Sequence, residues 1–319
     1  MQLRRTLPIA LALALALIAP AAASAAKKPG ATTGSAASIT PTTATLNGRV
    51  DPNNAATTYF FQLGTTSLYG VNTAVTAAGG GANGAAVSVP LTGLAPATTY
   101  HYRIVAQNRL GITRGQHKTF KTKPQPLALS LAATPNPVAP GKPTVLAGQL
   151  TGTNNASRDI VLQSNAFPYL AGFQPVGNAI VTDTAGNFAF TLLSVPVTTQ
   201  FRVYIAQRPE IASAPLVVGA ALRVGTSKKK TARYRHSVTV RFRGSISPQY
   251  DGGRVSIQKL SGGVWVEKSN TVASDAGDSV SRYEKSVRIQ TSGKFRIVAE
   301  ATGQYTSGVG RTVVIKAPR

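Results

Sequence analysis

Leu91-Thr-Gly-Leu-Ala-Pro-Ala-Thr-Thr-Tyr-His-Tyr-Arg-Ile-Val-Ala-Gln-Asn-Arg-Leu-Gly111 decides the architecture of this chain. Gly93 to Pro96 is tight-turn chemistry. Beyond the turn, Tyr100, Tyr102, Ile104 and Ala106 share one parity, and His101, Arg103 and Gln107 share the other. Alternation of period two describes a strand with one buried face and one face toward solvent. Short runs rich in Val, Thr, Phe and Tyr, separated by Gly, Pro and Asn, recur through the 319 residues, and helical periodicity is scarce. That is the pattern of an all-β chain built as tandem β-sandwiches. The sequence contains no Cys, so hydrophobic burial must hold the domains together without disulfides.

The spacing Leu94-x-Pro96-x-x-x-Tyr100-x-Tyr102-x-Ile104-x-Ala106-x-Asn108 resembles the E–F corner of the fibronectin type III family. The resemblance implies that Tyr100 is a tyrosine corner, with its ring packed inward and its hydroxyl bonded to backbone near Leu94 to Ala97. It covers residues 38–123, where Thr43 to Val50, Thr57 to Leu63, Ala86 to Leu91 and His117 to Thr122 supply further strands. The family often carries a Trp in the second strand; Gly48 stands near that place, so the core leans on Tyr59, Phe61, Tyr100 and Tyr102. Leu46-Asn-Gly-x-Val-x-Pro-Asn followed by Tyr59-x-Phe-x-x-Gly-Thr-Thr resembles the variant found in secreted proteins of bacteria.

Beyond a linker at Pro124 to Pro126, residues 126–224 and 225–319 match each other at four anchors. Gly148-Gln-Leu pairs with Gly244-Ser-Ile, Ile160-Val-Leu-Gln with Val255-Ser-Ile-Gln, Phe201-Arg-Val with Phe295-Arg-Ile, and Ser213 with Ser307. Near-constant intervals between such anchors mark a diverged repeat. The two copies resemble bacterial immunoglobulin-like domains. Their join is expected near Gly225 to Arg233, where Lys228-Lys229-Lys230 interrupts the apolar pattern.

The first 26 residues carry Arg4 and Arg5, an apolar run from Leu7 to Ala19, and a small-residue Ala23-Ser24-Ala25 end. This is the form of a secretory signal peptide rather than a membrane anchor, which needs about 20 apolar residues. A secreted, extracellular or envelope-associated protein is expected. Residues 27–37, rich in Gly, Ala and Thr, are expected to be a flexible linker.

Catalytic groupings are scarce. His101, His117 and His236 stand apart in the sequence, outside metal-ligand spacing, and are expected at the surface. Asp183 and Asp275 lie in matched loops, where a polar turn competes with a calcium loop that would enlist Asp278. No catalytic residue, metal or cofactor is expected. Trp265 is the sole Trp; packing at a sheet edge competes with a sugar-stacking role.

The net charge is +24. Residues 225–319 hold 18 Lys and Arg against 6 Asp and Glu, half of that excess. Arg241, Arg243, Arg288, Lys294 and Arg296 fall on outward strand parities. A single-sign surface attracts polyanions, here anionic cell-wall polymers or acidic polysaccharide, whereas the alternative is a charge that serves solubility. Secretion, and the lack of a basic and aromatic platform, speak against nucleic acid as a specific partner. The leading expectation is a non-enzymatic spacer or adhesion-type interaction module. The alternatives are a polyanion- or carbohydrate-binding envelope protein and an accessory protein of an extracellular hydrolase.

Overall fold

The computed structural model describes residues 25–277 and 279–318. The expected signal peptide lies outside the described residues up to position 24, as does Asp278. The chain divides into two compact units, residues 1–125 and 126–319. The described residues are all-β, without a helix.

The first unit contains β1 (Gly30–Thr33), β2 (Ala44–Asp51), β3 (Thr57–Gly64), β4 (Val71–Asn72), β5 (Thr76–Gly79), β6 (Ala85–Leu91), β7 (Thr99–Asn108), β8 (Gly111–Arg114) and β9 (Lys118–Lys121). One antiparallel sheet has the order β1-β2-β6. The other runs β4-β3-β7-β8, with β5 also on β3 and β9 also on β7. Alternation is strict where the two sheets face each other: Tyr59, Phe61, Leu63, Tyr100, Tyr102 and Ile104 are buried with Leu46 and Val50.

Residues 27–37, expected as a flexible linker, are paired backbone. Gly30 to Thr33 forms the edge strand on β2, and Ala37 bridges Thr45. The small side chains that suggest flexibility also let this segment lie close against the sheet. Asn53 Nδ2 and Asn108 Nδ2 hold its start by donating to the carbonyls of Lys28 (2.7 Å) and Lys27 (2.8 Å).

The second unit repeats this strand plan twice. Its first sandwich comprises β10 (Ala128–Leu129), β11 (Ala132–Thr134), β12 (Thr144–Thr151), β13 (Asp159–Ala166), β14 (Gln174–Pro175), β15 (Ile180–Val181), β16 (Asn187–Leu192), β17 (Thr199–Ile205), β18 (Arg208–Ala212) and β19 (Leu216–Val218). Its second comprises β20 (Arg223–Val224), β21 (Ser227–Tyr234), β22 (Ser237–Ser247), β23 (Arg254–Ser261), β24 (Val264–Val272), β25 (Ser274–Asp275), β26 (Ser281–Ile289), β27 (Gly293–Ala299), β28 (Gly308–Val309) and β29 (Val313–Ile315). In both, a split first strand and a later strand flank the long second strand: β10 and β11 with β16 on β12, then β20 and β21 with β26 on β22. In both, the facing sheet centres on a pair like β3–β7, namely β13–β17 and β23–β27. All three sandwiches therefore share one fibronectin type III/immunoglobulin-like fold, each around its own hydrophobic cluster.

Glycine occupies the same point of the second strand in all three. A Cβ on Gly48 would sit 2.8 Å from Ile104 Cδ1 and 3.1 Å from the Thr32 carbonyl. On Gly148 it would collide with the Ser130 carbonyl and the Phe188 ring, and on Gly244 with the Gly225 carbonyl. The first strand passes over this point, and only a hydrogen leaves room for its backbone.

The join expected near Gly225 to Arg233 is itself sheet. Lys228 to Lys230 belong to β21, and Ala220, Leu222 and Val224 already pack into the last core. Residues 219–222 also tie the two sandwiches of this unit together. Ala221 N donates to Val138 O at 2.8 Å on one side, and Thr306 N donates to Ala220 O at 2.9 Å on the other. The proposed anchor Ser213–Ser307 does not hold. Ser213 N donates to Val203 O, whereas the matching donor to Ile297 O is Gly310 N, three residues beyond Ser307.

The glycine geometry sets an order of sensitivity. Gly244→Ala and Gly148→Ala each drive a methyl into backbone and should cost about 1–3 kcal/mol or more by overpacking. Gly48→Ala meets the end of the Ile104 side chain first and should cost less. Urea denaturation of the three variants in the full chain tests this ranking, and equal losses would contradict it.

Candidate functional site

Tyr100 stacks on Phe120 (ring centroids 5.5 Å apart), and its hydroxyl accepts the Ala95 N–H at 2.9 Å. Thr122 Oγ1 holds the other side of that turn by donating to Ala95 O at 2.7 Å. Leu94 is buried beneath the turn, and Pro96 is half-buried in it. Tyr102 is fully buried, and its hydroxyl donates to Gly34 O at 2.8 Å; burial pushes this phenol above its ordinary pKa. These four residues are architectural.

The five candidate cations divide between two faces. Arg241 and Arg243 lie on β22 and Arg288 on β26, all on the outer surface of the first sheet of the last sandwich. Lys294 and Arg296 lie on β27, in the other sheet, and point outward from the opposite face. Strand parity separates inside from outside but does not say which sheet a strand joins.

On the first face the structure adds three cations to those that strand parity offered. Arg223 on β20 sits opposite Ser247. Lys229 on β21 sits opposite Arg241, and Arg282 on β26 sits opposite Ser245. Arg223, Lys229, Arg241, Arg243, Arg282 and Arg288 thus share an outer surface with one carboxylate, Glu284, which pairs with Arg241 at 3.3 Å. Neighbouring strands lie about 4.8 Å apart, and alternate residues on one strand about 7 Å apart. Arg243, Arg282 and Glu284 border a shallow groove of about 460 Å³. Lys228 and Lys230, on the other parity of β21, donate to the carbonyls of Val314 and Lys316 and hold the last strand.

Arg288 is partly engaged on this face: its guanidinium lies 4.7 Å from the centre of the Tyr234 ring and its Nε donates to Ser237 Oγ at 3.0 Å. On the other face Arg296 is engaged in the same way. Its guanidinium lies 4.5 Å from the centre of the Trp265 ring, and its Nε donates to Gln258 Oε1 at 2.8 Å. The same trio appears in each sandwich. Arg202 covers Phe173 at 4.3 Å and bonds Gln163 at 2.7 Å. Arg103 covers Tyr69 at 4.7 Å and bonds Gln62 at 2.7 Å. Each Arg follows the buried aromatic of the central strand, and each Gln faces it across the ladder. Trp265 is half-buried with one ring face covered, which accords with packing. The Gln and Arg anchors were visible in the last two copies, but the matching Gln62 and Arg103 were not connected to them.

Asp183 is occupied by its own loop. Its carboxylate accepts from Ala185 N (2.8 Å), Asn187 N (2.8 Å) and Asn187 Nδ2 (3.0 Å), and the Asn187 amide leads in holding its pKa below the usual range. Asp275 Oδ1 accepts from Gly277 N at 2.8 Å. Both are turn geometries. His117 and His236 are exposed and His101 is half-exposed. Though apart in sequence, His101 and His117 meet across the sheet, with Nδ1 and Nε2 3.1 Å apart.

No family model matches the sequence, and no curated protein matches it. Among solved structures, the chain is similar to chicken CNTN1 FN1-FN3 domains at 14% identity, covering 91% of this chain and 100% of that one with a TM-score of 0.29. A tetra-tandem repeat in the extending region of a large adhesion protein is 14% identical, covering 91% and 75%, with a TM-score of 0.31. A run of titin domains is 15% identical, covering 91% and 100%, with a TM-score of 0.38.

The Arg296–Trp265 contact has a spectroscopic consequence. An exposed cation–π pair contributes about 0.5–1 kcal/mol. Arg296→Ala should lower the stability of its sandwich by about that amount and shift the emission of Trp265 to longer wavelength. Arg202→Ala, which acts on Phe173, should leave the emission unchanged. An unshifted spectrum in Arg296→Ala would mean that the guanidinium does not cover the indole in solution.

Proposed function

We propose that this protein is a secreted, non-enzymatic modular protein of the bacterial cell surface or extracellular space, a tandem spacer whose last sandwich engages an anionic polymer. The observation that carries the contact is the outer face of β20, β21, β22 and β26, where six cations accompany one carboxylate. Arg side chains held on a rigid sheet keep their charge at every working pH and present planar forks suited to phosphate or carboxylate groups. The spacing along the sheet falls within the Debye length of about 10 Å at 0.1 M salt, so neighbouring cations act on one polymer together. Each exposed ion pair adds little alone, roughly 0–1 kcal/mol, and affinity comes from number. The N-terminal composition supports export, and the repeated sandwich plan supports the spacer role.

A deletion after Val224 would separate the last sandwich from Ala220, Leu222 and Val224, which belong to its own core. Substitution is the cleaner test. Arg223, Lys229, Arg241, Arg243, Arg282 and Arg288 changed together to Gln should abolish co-sedimentation with purified anionic cell-wall polymer at 0.1 M salt. Lys294 and Arg296 changed to Gln should not. Wild-type binding should fall away toward 1 M salt, where the Debye length is about 3 Å. Equal binding by the six-site variant, or binding indifferent to salt, would reduce the charge to a solubility feature.

A further inference from the structure

His101 lies on β7, and His117 immediately precedes β9, the strand paired with β7. Their rings are 5.1 Å apart, and His101 Nδ1 is 3.1 Å from His117 Nε2. Two imidazole nitrogens bound to one tetrahedral metal ion at 2.0–2.1 Å stand about 3.3 Å apart. The pair is therefore already close to the spacing of two ligands on one ion. His117 is exposed and His101 half-exposed, so water can reach the remaining coordination positions.

The far nitrogen of His117 is also committed. Its Nδ1 is 2.9 Å from Tyr69 Oη. With Nδ1–H donating to that oxygen, Nε2 carries the free lone pair and faces His101. A ligating imidazole whose second nitrogen is fixed by an outer partner is the usual arrangement of a biological metal site. Tyr69 is itself held beneath Arg103, and Arg103 by Gln62. The equivalent aromatics in the other sandwiches, Phe173 and Trp265, lack a phenolic hydroxyl. Gln200 and Lys294 stand where His101 does, two residues before the stacked Arg. The first sandwich alone has converted the shared stack into a support for two histidines.

We propose that His101 Nδ1 and His117 Nε2 form an open binding site for a divalent transition-metal ion of the Cu²⁺ or Zn²⁺ type, oriented by Tyr69. The ion takes the place of the proton shared between the rings, with His101 carrying its proton on Nε2 and water completing the coordination. Imidazole nitrogen suits both ions, and Cu²⁺ binds the more tightly of the two. Among the described residues no group of three His, Cys, Asp or Glu surrounds an ion, so the affinity should be modest and exchange rapid. The site is independent of the polyanion face, which lies on a different sandwich.

The test is titration of the full chain with Cu²⁺ and, separately, Zn²⁺. Imidazole C–H resonances and the nitrogen couplings in the Cu²⁺ electron paramagnetic resonance spectrum report the ligands. One equivalent should perturb His101 and His117 but not His236. His101→Asn and His117→Asn should each lower affinity at least about tenfold, and His236→Asn should leave it unchanged. Tyr69→Phe keeps the stack on Arg103 but removes the hydroxyl; loss of such an outer partner lowers affinity about 10–100-fold. Binding retained in the double variant of His101 and His117, or lost in His236→Asn, would overturn the site. Unchanged affinity in Tyr69→Phe would overturn the orienting role.

Discussion

Every sandwich depends on one buried aromatic at the centre of its second sheet. Tyr102, Phe201 and Phe295 are at most 4% exposed and sit on β7, β17 and β27, each of which pairs with three other strands of its sheet. Because side chains alternate along a strand, burying that ring commits the next residue to solvent. The next residue is Arg103, Arg202 or Arg296, and each meets a Gln on the neighbouring strand and an aromatic beyond it. One constraint thus sets both surfaces of the sheet: an aromatic core inside and a polar stack with a cation over a ring outside. With no disulfide in the chain, the inner half supplies the burial that holds each sandwich together.

Much of this was legible because parity is a local property. Tyr100, Tyr102, Ile104 and Ala106 declare their side within a few residues, and the turn from Leu94 to Ala97 announces the corner that Tyr100 closes. Contacts between distant strands were not legible. His101 and His117 are separated by 16 residues, a spacing that says nothing about proximity until β9 is known to pair with β7. Composition misled at residues 27–37, where small side chains suit an edge strand as well as a linker. Interval counting misled at Ser307, because the segment before β28 carries extra residues and shifts the equivalent bond to Gly310.

The charge shows the same limit. Outward parity was correct for Arg241, Arg243, Arg288, Lys294 and Arg296, yet the five do not form one surface. A sandwich has two outward faces, and membership of a sheet is decided by pairing. β22 pairs with β26, β21 and β20, which gathers Arg223, Lys229 and Arg282 beside Arg241, Arg243 and Arg288. β27 pairs with β23, which places Arg296 over Trp265 instead. Two cations are thereby removed from the candidate polymer contact, and Arg223, Lys229 and Arg282 are added.

The three sandwiches repeat their inward residues and their stacks while differing at the outward positions around them. Inward positions are bound by volume: a Cβ at Gly48, Gly148 or Gly244 meets the first strand or the core in every copy. Outward positions carry no such restriction, since surface substitutions away from special features change stability by about 0.5 kcal/mol or less. The chain can therefore place different chemistry on a common frame at little energetic cost. The position two residues before the stacked Arg is His101, Gln200 or Lys294, and the aromatic beneath that Arg is Tyr69, Phe173 or Trp265. In the first sandwich those choices bring two imidazoles and a phenol together; in the last they accompany a sheet face dominated by cations. Divergence at unconstrained positions around a constrained stack is how one fold, repeated, comes to present unlike surfaces.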